Sequence, residues 1–258
     1  MIADFHNDFL TSGERDLKGL SEKVRAAVCA VYSGGLFAEE VLSLAECFSS
    51  SHPDNLFLAF EDVGFADDGH LQRICAFRPV CVSLTWNAAN ALAGGCMSEQ
   101  GLSARGKKAA ELFSSAGIAI DCAHINRRSF NDLLDTDARL VDSHTCFYGM
   151  RAHPRNLIDF QVRSIVDRGG LIGVTLVSDF LGEGEGEAFF RQIDYAVQRF
   201  GAKNFCIGTD FWGSNDIPVA YSCYDCFDAL VERMLRAGYS VCSIEAILWK
   251  NLCDFLYK

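Results

Sequence analysis

Apolar and polar positions follow one another along the chain in a regular order. Short runs rich in apolar and β-branched residues are each followed by a longer segment whose apolar residues recur at helical spacing. The predicted strands are 2–5, 26–31, 56–60, 79–85, 119–122, 140–142, 171–176 and 205–208. The predicted helices are 38–50, 67–76, 104–116, 128–134, 159–168, 188–200, 224–237 and 244–256, the last preceded by Ser243 as a candidate N-cap.

Eight strands that alternate with helices over 258 residues have the size and rhythm of a (β/α)8 barrel. A doubly wound open sheet is the competing architecture, but the chain lacks the glycine fingerprint of its dinucleotide-binding version. No linker, repeat or change in composition divides the sequence. We therefore predict an α/β fold of the TIM-barrel type, formed by residues 1–258 as a single domain.

The composition narrows the classes of function. Half of the residues are hydrophobic and 22% are charged, as in a globular protein with a substantial core. The formal net charge of −11 argues against binding to nucleic acid or to an anionic membrane surface. No signal-peptide pattern opens the chain, and no apolar run approaches the ~20 residues that span a bilayer. We expect a soluble, cytoplasmic protein.

The twelve cysteines are scattered and too sparse for a disulfide scaffold of this length. Cys223 and Cys226 form a single CxxC pair, without the second pair that a structural zinc site uses and without a strand-to-helix redox context. Their spacing also suits one turn of helix. We interpret them as reduced core thiols rather than as a redox or metal pair.

Polar residues of metal-binding type follow several of the predicted strands. They are His6 and Asp8 after the first strand, Glu61 after the third, His124 after the fifth, His144 after the sixth and Asp210 after the eighth. The carboxyl ends of barrel strands meet at one mouth, where the chemistry of such barrels takes place. Taken singly, each of these residues has an ordinary explanation as a core histidine or a helix-capping aspartate. All six at strand ends together predict a site.

Imidazoles combined with carboxylates suit zinc or a similar divalent ion. Six such residues are more than the ligands of one tetrahedral site that keeps an open position. This number of ligands suits two ions ~3.5–4 Å apart that share a bridging carboxylate and a bridging water. The two ions lower the pKa of that water from ~15.7 towards ~7. Hydroxide is then available at neutral pH, so this arrangement predicts hydrolysis.

The same segments resemble a known family. DFHNDFL, FLAFEDVG, VSLTWNAANALAGG, GLSARGKKAAELFSSAGIAIDCAHIN, VDSHTCFYGMRAHPRNLIDF and IGTDFWG occur in the order and approximate spacing of the membrane (renal) dipeptidase family M19, within the metal-dependent amidohydrolase superfamily. The resemblance extends from His6 to about Gly213, with a weaker similarity in AILWKNLCDFL.

The resemblance implies a distorted (β/α)8 barrel that holds two zinc ions and cleaves dipeptides. By the family pattern, His6 and Asp8 hold one ion, His124 and His144 hold the other, and Glu61 bridges them. Asp210 then handles the proton that moves from the attacking water to the leaving amine. Arg155 grips the free C-terminal carboxylate of the substrate, for which a guanidinium fork is well shaped.

Two positions depart from the family pattern. Trp86 stands where relatives often carry a histidine that contacts the substrate near the scissile carbonyl, and tryptophan offers one N–H donor and more bulk. Asp62 follows Glu61 where glycine is expected, which adds negative charge near the site. Trp86 is therefore a predicted substrate-contacting residue in a reshaped pocket.

We predict a binuclear zinc dipeptidase in which a metal-bridged hydroxide attacks the peptide bond, with tolerance of a C-terminal D-residue carried over from the family. Its partner is a small-molecule dipeptide, not nucleic acid or membrane, and relatives are often homodimers. The alternatives are a hydrolase that uses the same centre on N-acyl amino acids or other small amides, and a non-catalytic metal-binding barrel protein.

Overall fold

Eight parallel strands close into a barrel in chain order in the computed structural model, which describes residues 1–257. The strands are β1 (Ala3–Asn7), β2 (Ala26–Tyr32), β3 (Leu56–Glu61), β4 (Cys81–Ser83), β5 (Ala119–Asp121), β6 (Leu140–Thr145), β7 (Ile172–Val174) and β8 (Phe205–Ile207). The pairing of Asp4 on β1 with Ile207 on β8 closes the ring. The predicted (β/α)8 fold is confirmed.

Helices connect the strands and surround them. They are α1 (Leu17–Lys23), α2 (Ala38–Ser51), α3 (Asp68–Ala76), α4 (Ala104–Ser115), α5 (Arg127–Leu133), α6 (Asp159–Asp167), α7 (Ser178–Leu181), α8 (Glu185–Phe200), α9 (Asp228–Arg236), α10 (Val241–Glu245) and α11 (Asn251–Leu256). Among residues 1–257, none of these helices combines the length and the apolar character that crossing a bilayer requires.

One end of the barrel is closed by its own core. Around Phe5, the interior is lined by small side chains such as Ala26, Ala59 and Cys81. Leu252 of α11 belongs to the same cluster, and the last helix therefore covers this end of the barrel. The other end, where the carboxyl ends of the strands meet, is left for polar side chains.

Two short helices differ from the prediction. Helices α1 and α7 were not predicted. Each buries a single residue, Leu20 in α1 and Leu181 in α7, so neither segment shows the apolar periodicity that marks a helix.

The C-terminal part also differs in detail. The predicted helix 224–237 starts as a 3-10 helix, Tyr224–Phe227, and continues as α9. Ser243 is not the N-cap of the last segment: Ser240 is, and its hydroxyl accepts a hydrogen bond from the Ser243 backbone N–H at 3.1 Å. A π-helical turn, Ala246–Lys250, joins α10 to α11.

Close backbone approach constrains Gly173 on β7. A Cβ atom there would overlap the carbonyl oxygen of Ser143 on β6, the residue before His144. Gly173→Ala is therefore expected to lower the free energy of unfolding by about 1–3 kcal/mol or more. The clash is with the Ser143 backbone, which cannot move aside as the end of a flexible side chain can.

Thermal unfolding measures this effect, with Gly69→Ala on α3 as the matched control. The nearest atom to a Cβ at Gly69 is an exposed carboxylate oxygen at 3.4 Å, and alanine is the better helix former. The control should melt at or slightly above the temperature of the parent. Equal melting temperatures for Gly173→Ala and the parent would contradict the close approach.

Candidate metal centre

Six predicted side chains meet at the carboxyl end of the barrel. They are His6, Asp8, Glu61, His124, His144 and Asp210. The first five are buried, whereas Asp210 is half-buried. All of them except His6 line a cavity of about 490 Å³ that opens to solvent. The structure thus brings together residues as far apart in the chain as His6 and Asp210.

The first group surrounds the Nε2 atom of His6. Asp8 Oδ2 lies 3.4 Å from this nitrogen and Glu61 Oε2 lies 3.5 Å from it. Asp210 Oδ1 is 3.8 Å away. Burial opposes a charged imidazole, but the carboxylates of Asp8 and Glu61 outweigh it and raise the pKa of His6 well above its ordinary value. Positive charge is therefore favoured at the point that these groups share.

The second group contains two histidines and the other oxygen of Glu61. His124 Nε2 lies 2.7 Å from Glu61 Oε1 and 2.9 Å from His144 Nε2. His124 Nδ1 lies 2.8 Å from Asn87 Oδ1, and because an amide oxygen only accepts, Nδ1 carries the proton and Nε2 presents a lone pair. Burial lowers the pKa of His124 to about 4 and that of His144 well below its ordinary value.

The two groups together form a set of acceptors that need a cation. Lone pairs of the neutral His124 and His144 imidazoles face the carboxylate side of the site, whereas His6 is favoured as a cation there and its Nε2 has no hydrogen-bond partner. Ligand atoms of His6, Glu61 and His144 lie within 4.8 Å of one another, as do those of His6, Asp8 and Asp210. Nitrogen and oxygen donors in this mixture suit zinc and similar divalent ions, so the residues fit a metal site.

Asp210 sits at the rim of the first group. Its backbone N–H donates to the His6 carbonyl at 3.0 Å, which ties the loop after β8 to β1. Burial, reinforced by the charges of Asp8 and Glu61, raises the pKa of Asp210 well above its ordinary value. Gly213 makes room for this carboxylate, because a Cβ there would overlap oxygens of both Asp8 and Asp210.

Two of the site residues have left-handed backbone conformations. The φ angle is 68° at His124 and 61° at Asp210. Non-glycine residues rarely adopt this region, which costs of order 1–3 kcal/mol and is concentrated at functional positions. Both side chains are aimed into the mouth of the barrel by this strained geometry.

Several residues that shape the site were not predicted. Asn87 sets the tautomer of His124, and Ser143 Oγ lies 2.8 Å from His144 Nδ1 and 3.3 Å from His6 Nδ1. Behind them, buried Asp4 accepts hydrogen bonds from Thr209 and Tyr224 and so links β1 to the loop after β8. Amides and hydroxyls are poor markers of a metal site, so only the three-dimensional neighbours of these residues show their roles.

Trp86 lies on the wall of the cavity. Its side chain is 40% exposed, and its ring lies 5.7 Å from that of His124 and 5.5 Å from that of Tyr32, between centroids. The tryptophan therefore stands beside the second group of ligands and narrows the entrance.

Arg155 lies behind the cavity rather than on its wall. The residue is 5% exposed, and its Nη2 donates to the His144 carbonyl oxygen at 3.1 Å. Its Nε has no hydrogen-bond partner, and the guanidinium lies 5.3 Å from the centre of the Phe180 ring, which does line the cavity. One buried donor of Arg155 is thus unused close to the site.

Known proteins resemble the chain over most of its length. A family model described as membrane dipeptidase, peptidase family M19, matches residues 67–256. An uncharacterised protein encoded in the pqqA 5′ region of Klebsiella pneumoniae is 27% identical over 205 residues, which are 73% of this chain and 75% of that protein.

Two solved structures share the fold. A metallopeptidase from Rhodobacter sphaeroides, liganded with a phosphinate mimic of the dipeptide L-Ala-D-Ala, superimposes with a TM-score of 0.84 at 19% identity, over 99% of this chain and 98% of that chain. A dipeptidase of family M19 superimposes with a TM-score of 0.86 at 20% identity, over 99% and 97% of the two chains.

Proposed function

Because the chain belongs to the membrane dipeptidase family, peptidase family M19, we propose that it hydrolyses dipeptides with two zinc ions bound at the mouth of the barrel. The family membership and the enzyme class, a metal-dependent dipeptidase, agree with the sequence prediction. The observation that carries the proposal is the buried cluster of imidazole nitrogens and carboxylate oxygens around Glu61, in which His6 Nε2 and Asp8 Oδ1 have no hydrogen-bond partner.

His6 and Asp8 would hold one ion, and His124 and His144 the other. Glu61 suits the bridging role because its two oxygens face different groups, Oε2 towards His6 and Oε1 towards His124. Bound ions would supply a water of lowered pKa and positive charge for the oxyanion of the reaction. The residues of this chain orient the substrate and move the proton.

Asp210 is the group that would move the proton. It lies at the rim of the cavity, on a loop fixed to β1, next to the ligands but more exposed than they are. A carboxylate in this position can take a proton from the attacking water and give it to the leaving amine. The left-handed backbone holds it there.

Arg155 would bind the free carboxylate of the substrate. Its guanidinium is held at one end by the His144 carbonyl, while Nε is free to donate. Phe180 lines the cavity and lies against the guanidinium, so a shift of this ring would bring Arg155 closer to a bound substrate. Hydrogen bonds to charged groups are worth about 1.5–3 kcal/mol, so this contact can distinguish a dipeptide from an internal peptide bond.

Arg155→Lys is therefore expected to lower kcat/KM for a dipeptide by about ten- to a hundredfold, since the charge remains but the fork is lost. Hydrolysis of the same dipeptide with a C-terminal amide should change little. Arg151→Lys, an exposed arginine four positions earlier, is the control and should behave as the parent. Equal losses on both substrates, or a loss of bound metal, would show that Arg155 only supports His144.

Trp86 would contact an apolar side chain of the substrate. Trp86→Ala is expected to raise KM about tenfold for dipeptides with large apolar side chains, and less for alanine-containing ones, because apolar contact area is lost. Phe160→Ala removes an aromatic residue that is exposed to 54%, compared with 40% for Trp86, but does not line the cavity, and it is the control. An unchanged ratio between large and small substrates would remove Trp86 from the binding surface.

We propose further that the dipeptide substrates include those with a D-residue at the C-terminal position. The ligand of the Rhodobacter sphaeroides metallopeptidase is a phosphinate mimic of L-Ala-D-Ala, and the barrel of that protein superimposes on this one. The cytoplasmic location and the homodimer stay predictions from the sequence.

Amide hydrolysis by zinc-reconstituted protein tests the proposal. L,L-dipeptides, L,D-dipeptides and their N-acetylated forms are compared, with chelated protein as the control. We expect cleavage of free dipeptides that chelation abolishes. Turnover of N-acyl compounds alone would instead support the alternative hydrolase, which the bulk of Trp86 favours. A zinc-loaded protein that cleaves neither class would support a non-catalytic barrel.

A further inference from the structure

We propose that Cys223 and Cys226 form a thiol–disulfide site, which a small-molecule disulfide converts into an intramolecular disulfide. The site lies outside the metal centre and does not depend on the proposed hydrolysis. It corrects the interpretation of this pair as core thiols, because Cys223 is exposed and Cys226 is half-buried.

The local backbone brings the two sulfurs together. Cys223 precedes the 3-10 helix Tyr224–Phe227, and the Cys226 N–H donates to the Cys223 carbonyl at 3.1 Å. A turn closed in this way holds its first and fourth Cα atoms within ~7 Å, which matches the ~4.4–6.8 Å that a disulfide spans. The two Sγ atoms already lie 2.9 Å apart, in hydrogen-bond contact.

The other exposed cysteines provide a contrast within the same chain. Cys47 and Cys242 are exposed single thiols. In the part of the chain that the structure describes, Cys223 and Cys226 are the one pair whose sulfurs lie within hydrogen-bond distance. Buried thiols such as Cys29 and Cys206 are shielded from reagents, and burial raises their pKa further.

A second cavity gives access to Cys223. It has a volume of about 640 Å³ and is lined by Cys223, Tyr224 and Trp212, among others. Trp212 also lines the candidate active-site cavity, so the two cavities share a wall. A small disulfide can therefore reach Cys223 beside the mouth of the barrel without entering the metal centre.

The turn is connected to the metal centre by Tyr224. Its hydroxyl donates to Asp4 Oδ2 at 2.6 Å, and its ring lies 6.1 Å from that of Trp212, between centroids. Closing the disulfide would therefore stiffen the segment that holds this shared wall.

The exchange proceeds in two balanced steps. The Cys223 thiolate attacks one sulfur of oxidised glutathione, the reagent disulfide breaks, and one glutathione thiolate leaves. The Cys226 thiolate then attacks the Cys223 sulfur and releases the second glutathione. Two protein thiols become one disulfide, and their protons and electrons end on two glutathione thiols. The hydrogen bond with Cys226 raises the pKa of Cys223, so the first step should be slow at neutral pH.

Reduced full-length protein treated with oxidised glutathione tests the site. After alkylation of free thiols, peptide mapping is expected to find a Cys223–Cys226 disulfide, whereas Cys47 and Cys242 carry glutathione or alkyl groups. Half-oxidation of the pair should need about tenfold less oxidised glutathione than half-modification of Cys47, because the second step is intramolecular.

The Cys226→Ser variant removes the second thiol. Glutathione should then remain bound to Cys223, and far-ultraviolet circular dichroism checks that the variant is folded. Separate glutathione adducts on Cys223 and Cys226 in the parent, or alkylation of both at the level of Cys47, would overturn the proposal.

Discussion

Glu61→Gln is expected to abolish both metal binding and hydrolysis. Glu61 contacts both groups of the site, with one oxygen 3.5 Å from His6 Nε2 and the other 2.7 Å from His124 Nε2. Glutamine keeps the shape but replaces an anionic oxygen with an N–H2 donor aimed at a neighbour. We expect kcat/KM to fall by at least about a thousandfold, equal to roughly 4 kcal/mol.

The stability of this variant provides a second readout. A ligand that binds only the folded state stabilises it in proportion to the logarithm of its concentration. Zinc should therefore raise the melting temperature of the parent and leave that of Glu61→Gln nearly unchanged. Glu46→Gln on the exposed side of α2 is the control and should respond like the parent. Full zinc content and full activity in Glu61→Gln would contradict the bridging role.

Asp210→Asn is expected to stop turnover while leaving the metal in place. The amide fills the same space on the strained loop but cannot carry a proton between water and amine. General acid–base groups contribute about 10²- to 10⁴-fold, and we expect a fall in kcat of that size with little change in KM.

Metal analysis of the same samples separates Asp210 from the ligands. Asp167→Asn at the exposed end of α6 is the matched control. If Asp210→Asn loses zinc together with activity, Asp210 is a metal ligand rather than a proton carrier. The 3.8 Å distance between Asp210 Oδ1 and His6 Nε2 would be consistent with that role. If it keeps both zinc and activity, another group moves the proton.

The barrel was predictable because parallel strands buried on both sides are continuous apolar runs. Strand β4 spans Cys81–Ser83 rather than 79–85, and β6 extends to Thr145 although its last residues are polar. In both cases pairing with the neighbouring strand, not composition, decides where the strand ends. Short helices such as α1 bury too few residues to show a period.

The candidate site was predictable at its charged positions. His6, Glu61 and His144 combine metal-binding chemistry with a place at a strand end, which marks them without a structure. The role of Arg155 came from the family resemblance, and its burial beside the Phe180 ring had no sequence signal. Asn87 acts through one hydrogen bond to His124, and Gly213 acts through the absence of a Cβ atom beside Asp8 and Asp210. Only the three-dimensional neighbours of these residues reveal such roles.

Zinc titration of metal-free protein tests the central claim most directly, with bound metal and hydrolysis of an L,D-dipeptide measured in the same samples. We predict that hydrolysis rises as the site fills, reaches its maximum at two ions per chain and is lost on chelation. Protein that binds two zinc ions and leaves the dipeptide intact, or that cleaves it equally well after chelation, would contradict the account.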